Sequence, residues 1–179
     1  EAVMGRTCRT LLMIAAALIL YKPVLADVFT LDVLEDAYIN DFNGSSTLDG
    51  SPDEIRNTNA LLAGKGILSD GDAIESRVIM VFDLDSYLGM DLINAELTGF
   101  GRRVDAWATN EPVTVGFSSY TGDGAVTLDD FSRAASYLSS VSLPNSANIT
   151  EFAQFSIDVT SAVQQALDAD SRFLEFRAE

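Results

Sequence analysis

The sequence of 179 residues contains no histidine, which removes the commonest general base near neutral pH and the commonest transition-metal ligand. Its single cysteine, Cys8, excludes an internal disulfide, a cysteine-cluster zinc site and a thiol redox pair. Ser-His-Asp and Cys-His catalysis and zinc hydrolysis go with them. Basic groups are scarce, 11 Lys and Arg against 27 Asp and Glu. The resulting charge of −16 repels a nucleic-acid backbone and an anionic membrane surface alike. Apolar residues are plentiful at 47%, enough for the core of one domain of this length.

The first 26 residues have the three parts of a secretory signal peptide. Arg6 and Arg9 make a basic start, Leu11 to Leu20 is an apolar run, and Ala26 closes the segment before Asp27. A signal helix over residues 1–26, cleaved after Ala26 and with Met4 as translation start, is therefore expected. A run of ten is too short for the roughly 20 residues that span a bilayer as a helix, so no membrane insertion is expected after cleavage. Cys8 precedes the run and is not placed to accept a lipid. Cleavage removes Arg6, Arg9, Lys22 and Glu1, leaving 8 basic and 26 acidic groups in 153 residues, a net charge of −18. With no cysteine left, the domain must be held by core burial alone.

The rest reads mainly as strands, with 27–179 as a single domain. Val28–Val33, Ile93–Phe100, Val113–Phe117 and Phe155–Val159 alternate apolar and polar, the period of a half-buried strand. Arg77–Asp83 is a continuous apolar run between charges, as in a central strand buried on both faces. Asp36–Ile39 and Phe173–Arg177 are further short strands, and Asn40–Asn59, rich in Asn, Gly, Ser and Asp, reads as a long surface loop. Two helices are expected. One is Thr127–Leu138, with Leu128, Phe131, Ala135 and Leu138 on one face; the other is Thr160–Leu167, with Val163, Ala166 and Leu167 inward. Seven to nine strands, two helical connections and no βαβ rhythm predict an all-β, antiparallel β-sandwich.

Four segments carry a family resemblance: Asp36-Ala-Tyr-Ile, Ser76-Arg-Val-Ile-Met-Val-Phe-Asp-Leu-Asp85, Ile93-Asn-Ala-Glu-Leu, and Phe155-Ser-Ile-Asp-Val-Thr-Ser-Ala-Val163 leading to Phe173-Leu-Glu-Phe-Arg. In order and spacing they resemble the secreted DNRLRE-type β-sandwich domains, which are related to carbohydrate-binding modules, in the variant found in bacterial exported proteins with a PEP-CTERM sorting tail. The resemblance implies a jelly-roll-like sandwich, secreted or on the cell surface, serving as a module without chemistry of its own. The family's central tryptophan motifs are absent; Phe117–Asp130 stands in their place.

Candidate sites follow from residue chemistry. Thr121-Gly-Asp-Gly-Ala-Val-Thr-Leu-Asp-Asp130, laid on a twelve-residue calcium loop, puts Thr121 at position 3, Asp123 at 5, Gly124 at 6, Val126 at 8 and Asp130 at 12. The other reading is a Gly-Asp-Gly turn feeding a capped helix. Asp70 and Asp72, in Ser69-Asp-Gly-Asp-Ala73, are weaker calcium ligands in what reads as a hairpin connection. For sugar binding, which needs an exposed ring and nearby polar planes, the candidates are Trp107, the only tryptophan, with Arg102, Arg103 and Tyr120. Carboxylate pairs such as Asp83/Asp85 and Asp129/Asp130 are numerous in so acidic a chain, and none is marked as a glycosidase pair. The expectation is a non-catalytic module for extracellular polysaccharide, with calcium as the one cofactor its loops suit. The alternative is a structural or adhesive surface protein whose partners are proteins.

Overall fold

The longest apolar run becomes the centre of the molecule. In the computed structural model, which describes residues 10–14, 27–29, 33–43, 48–57, 63–67, 72–90, 92–101, 113–143 and 153–179, this run lies in the eleven-residue strand β6, Ala73–Asp83. β3 (Glu35–Asn43) pairs along one edge of it. The other edge is shared by β5 (Gly64–Ile67) and β11 (Phe173–Ala178). Beyond these lie β4 (Glu54–Arg56) on one side, and β8 (Val113–Thr121) then β9 (Ser136–Leu143) on the other, giving the order β4-β3-β6-β11-β8-β9. A second sheet has the order β10-β7-β1-β2, from Ala153–Asp158, Asn94–Gly101, Thr10–Ile14 and Asp27–Phe29. Every pairing in both sheets is antiparallel.

The facing side chains of the two sheets make one core. Val78, Phe82, Phe117, Leu174 and Phe176 come from the larger sheet, Ala95, Leu97 and Ile157 from the smaller. Phe82 meets Phe176 edge-on at 5.5 Å, and Phe117 reaches Phe155 of the other sheet at 5.3 Å. Each side chain of this size, fully buried, contributes about 1.5–3 kcal/mol. The expected helix at Thr160 is present as α1, Thr160–Asp168, and buries Val163, Ala166 and Leu167 in this core. It is tied to β7 through Val159 N–H to Ala95 O (2.9 Å) and Ala95 N–H to Thr160 Oγ1 (2.9 Å).

The alternate residues of β6, Ile79 and Val81, point to the opposite face and are also fully buried. With Ala37 and Ile39 they form a second cluster, covered by Val126 and Phe131 from the segment after β8. A central strand buried on both faces is what the apolar run predicts.

Three expectations need correcting. Thr10–Ile14, inside the expected signal helix, forms β1 between β2 and β7; a short apolar run fits a strand as well as a helix when a sheet edge offers backbone partners. The loop from Asn40 contains the end of β3 and all of β4. The helix expected over Thr127–Leu138 is a single 3₁₀ turn, Leu128–Phe131, and Ser136–Leu138 already belong to β9. Its expected inward residue Leu128 is exposed, while Phe131 is buried. The turn stops because its carbonyls are taken: Arg177 Nη1 donates to Asp130 O (3.3 Å), Phe131 O (3.3 Å) and Arg133 O (2.8 Å), and Arg77 Nη1 donates to Phe131 O. Continuing the helix would require those acceptors. Among the described residues no helix is long and apolar enough to cross a membrane.

Candidate functional site

The segment 122–135 lies across the outer face of the larger sheet and encloses a polar knot. Glu175 of β11 and Tyr120 of β8 are directly opposite in register, and so are Arg177 and Ser118. Glu175 and Asp130 are fully buried, and Tyr120 and Arg177 are nearly so. The Asp130 carboxylate accepts from the Thr127 N–H (2.8 Å) and hydroxyl (2.9 Å) and from Arg133 Nη1 (3.2 Å). The Tyr120 hydroxyl and the Gly124 N–H approach the Glu175 carboxyl, but neither has the geometry of a full hydrogen bond, and both oxygens are buried without a partner. Burial, then the Asp130 charge, pushes the Glu175 carboxyl above the ordinary glutamate range. Burial likewise raises the Tyr120 hydroxyl, with Asp130 adding to it. Arg133 lies over the Tyr120 ring at 5.5 Å.

The 121–130 loop has the hydrogen bonds of a capped turn. Asp123 Oδ1 accepts from the Ala125 N–H at 3.1 Å, the bond of an Asx turn. Gly124 has φ +92°, and a methyl group there would meet the Phe173 ring at 2.7 Å. Asp130 spends its carboxylate on the Thr127 N–H and hydroxyl and on Arg133. Thr121 is exposed. The loop is built as a capped turn. Gly124→Ala should cost about 1–2 kcal/mol, since a left-handed alanine is strained and the ring must move; an unchanged urea midpoint would contradict the contact between Gly124 and the Phe173 ring.

Asp72 lies at the start of β6, and Ile67 paired with Ala73 makes the connection between them the expected hairpin. Asp70 lies outside the described residues, as do Trp107, Arg102 and Arg103. Tyr120, the fourth proposed sugar residue, is buried beneath Arg133 and presents no free ring. Elsewhere, Asp41 is fully buried with Oδ2 on the Gly50 N–H (2.9 Å) and Oδ1 unpartnered; burial raises its pKa, and Asp49, Asp53 and Glu75 add to the rise. Among the described residues no three acid, cysteine or histidine side chains converge as a metal-binding group.

A feature that the sequence pattern does not disclose is a shelf beside the knot. Tyr137 of β9 is 69% exposed, the most exposed of the large hydrophobic side chains described. Its Cε2 lies 3.8 Å from where a side chain at Gly116 would begin, so the ring rests over a glycine on β8. Gly116 exchanges two backbone hydrogen bonds with Glu179 (2.8 and 3.0 Å). The Glu179 carboxylate, 39% exposed, sits 3.2 Å from Arg77 Nε and 3.6 Å from Arg177 Nε. Arg77 is held from behind by Glu75 at 2.7 Å and over the Phe131 ring at 4.2 Å. A free aromatic face thus adjoins a carboxylate and guanidinium pair fixed by the sheet. In the β8–β9 register Tyr137 pairs with Ser118 and Gly116 with Ser140, so the ring reaches Gly116 diagonally, a proximity no local sequence pattern encodes.

Comparison with known proteins adds nothing to this geometry: no protein-family model matches the chain, and no curated protein matches it.

Proposed function

We propose that this chain is a non-catalytic, secreted β-sandwich module of the DNRLRE type, jelly-roll-like in topology, that binds extracellular carbohydrate on the outer face of its larger sheet. The observation that carries this reading is the Tyr137 shelf. A ring lying open over Gly116 suits the apolar face of a sugar, and the Glu179 carboxylate beside Arg77 offers planar acceptors and donors for its hydroxyls. The nearby buried acids do not make a hydrolase site, because Glu175 and Asp130 are sealed from solvent beneath 122–135. Secretion rests on the leader sequence; cleavage after Ala26 takes β1 out of the smaller sheet and leaves an N-terminus at Asp27, which sequencing of the exported protein would identify.

The test is a polysaccharide panel with calcium and with chelator. Binding should be retained in chelator and fall at least tenfold in Tyr137→Ala, with Glu179→Gln weakened in the same direction. Removal of a side chain this exposed should shift stability by no more than about 0.5 kcal/mol. No glycan bound under either condition, or full binding by Tyr137→Ala, would sink the proposal.

A further inference from the structure

The ends of the two sheets differ in how they are guarded. β4 is three residues long and carries Glu54 and Arg56, and β10 ends in Asp158. Short length and charge are the usual protection of a strand edge. β9 has neither. It runs eight residues, Ser-Tyr-Leu-Ser-Ser-Val-Ser-Leu, without a charge or a proline, and among the described residues only β8 pairs with it. Its one irregularity falls opposite Phe117/Ser118, leaving Ser139–Leu143 in regular register with Phe117–Val113, and among the described residues no strand pairs with its other edge.

We infer that β9 is an assembly edge, pairing antiparallel with β9 of a second copy across a two-fold axis normal to the sheet. Charge selects this occupant. Copies of a chain at −16 repel over most of their surface, and an uncharged eight-residue edge is a place where two can meet without facing like charges in any register. Leu138 and Val141 pack against the core and stay there on pairing, so the contact is made by backbone hydrogen bonds and serine side chains. Such a dyad is self-complementary and closes at two copies. It also puts both Tyr137 rings on the same face of one continuous sheet.

Sedimentation equilibrium of the chain should give twice the monomer mass. Ser140→Glu with Ser142→Glu places like charges across the dyad and should return the monomer mass, with the circular dichroism spectrum unchanged and melting no longer dependent on concentration. The same two charges placed at the exposed Ser51 and Ser161 should leave the dimer intact. A monomer at concentrations used for NMR, or a dimer that survives the β9 substitutions, would overturn the inference. Should the double variant not fold, hydrogen exchange on the unaltered chain decides. Outward amides of Ser139–Leu143 should gain protection as concentration rises, and protection independent of concentration would count against pairing.

Discussion

Replacing Arg177 with methionine should lower unfolding stability by about 3–5 kcal/mol. The methionine keeps the apolar stem but removes the guanidinium that holds the carbonyls of Asp130, Phe131 and Arg133 at once. Those carbonyls come from the one segment that covers Ile39, Ile79 and Val81, so their loss loosens the lid of the second cluster as well as its own turn. The substitution also takes a positive charge away from the buried Glu175 and Asp130, leaving the acids with Arg133 alone. Arg133→Met is the matched control: it lies in the same turn, but its side chain is 40% exposed, and its loss leaves Asp130 both bonds from Thr127, so it should cost less, about 1–2 kcal/mol. Urea unfolding of the two variants would separate the cases. Equal losses would mean that Arg177 acts as a surface charge and does not hold the turn.

Arg177 also shows where reading the sequence stops. Phe173–Arg177 is recognisable as a strand from its apolar alternation, and its inward residues Leu174 and Phe176 are in the core as the period requires. The same alternation assigns Glu175 and Arg177 to the other face and, taken alone, to water. They are buried because a segment distant in sequence lies over them, which no local pattern encodes. β6 and α1 are legible because their burial follows from their own periodicity. The helix expected from Thr127 has the right capping residues and the right apolar spacing, yet loses its later turns to competition from Arg77 and Arg177 for its carbonyls. The candidate site divides in the same way. The sequence places Tyr120 in a loop as a candidate sugar-binding ring, and Tyr137 inside the expected helix Thr127–Leu138. Tyr120 is instead buried beneath Arg133, and Tyr137 stands exposed on β9.

Glu175→Gln should stabilise the protein by about 2–3 kcal/mol at pH 8 and leave it nearly unchanged at pH 4. The carboxyl is fully buried, with both oxygens unpartnered, and Gly122 packs so closely that a methyl group there would overlap Oε1. Tyr120 from β8, Asp130 from the 3₁₀ turn, and Arg133 and Arg177 are the titratable or charged groups on its side of the sheet; burial, then Asp130, raises its pKa against the lowering effects of Tyr120, the Gly124 N–H and Arg133. A carboxyl whose pKa is higher folded than unfolded binds more protons in the native state between the two values. Its stabilising contribution is therefore complete below the ordinary glutamate value, declines as pH rises through the raised one, and stays lost above it. The amide keeps the shape and cannot ionise, so the advantage of Glu175→Gln should appear only above about pH 4.5, the ordinary value from which the shift is measured. Thermal unfolding of both proteins from pH 4 to pH 8 gives the difference directly, and groups that titrate identically in the two, Asp41 among them, cancel. A difference that does not grow with pH would mean that Glu175 stays ionised in the folded protein, with Tyr120, the Gly124 N–H and Arg133 prevailing over burial.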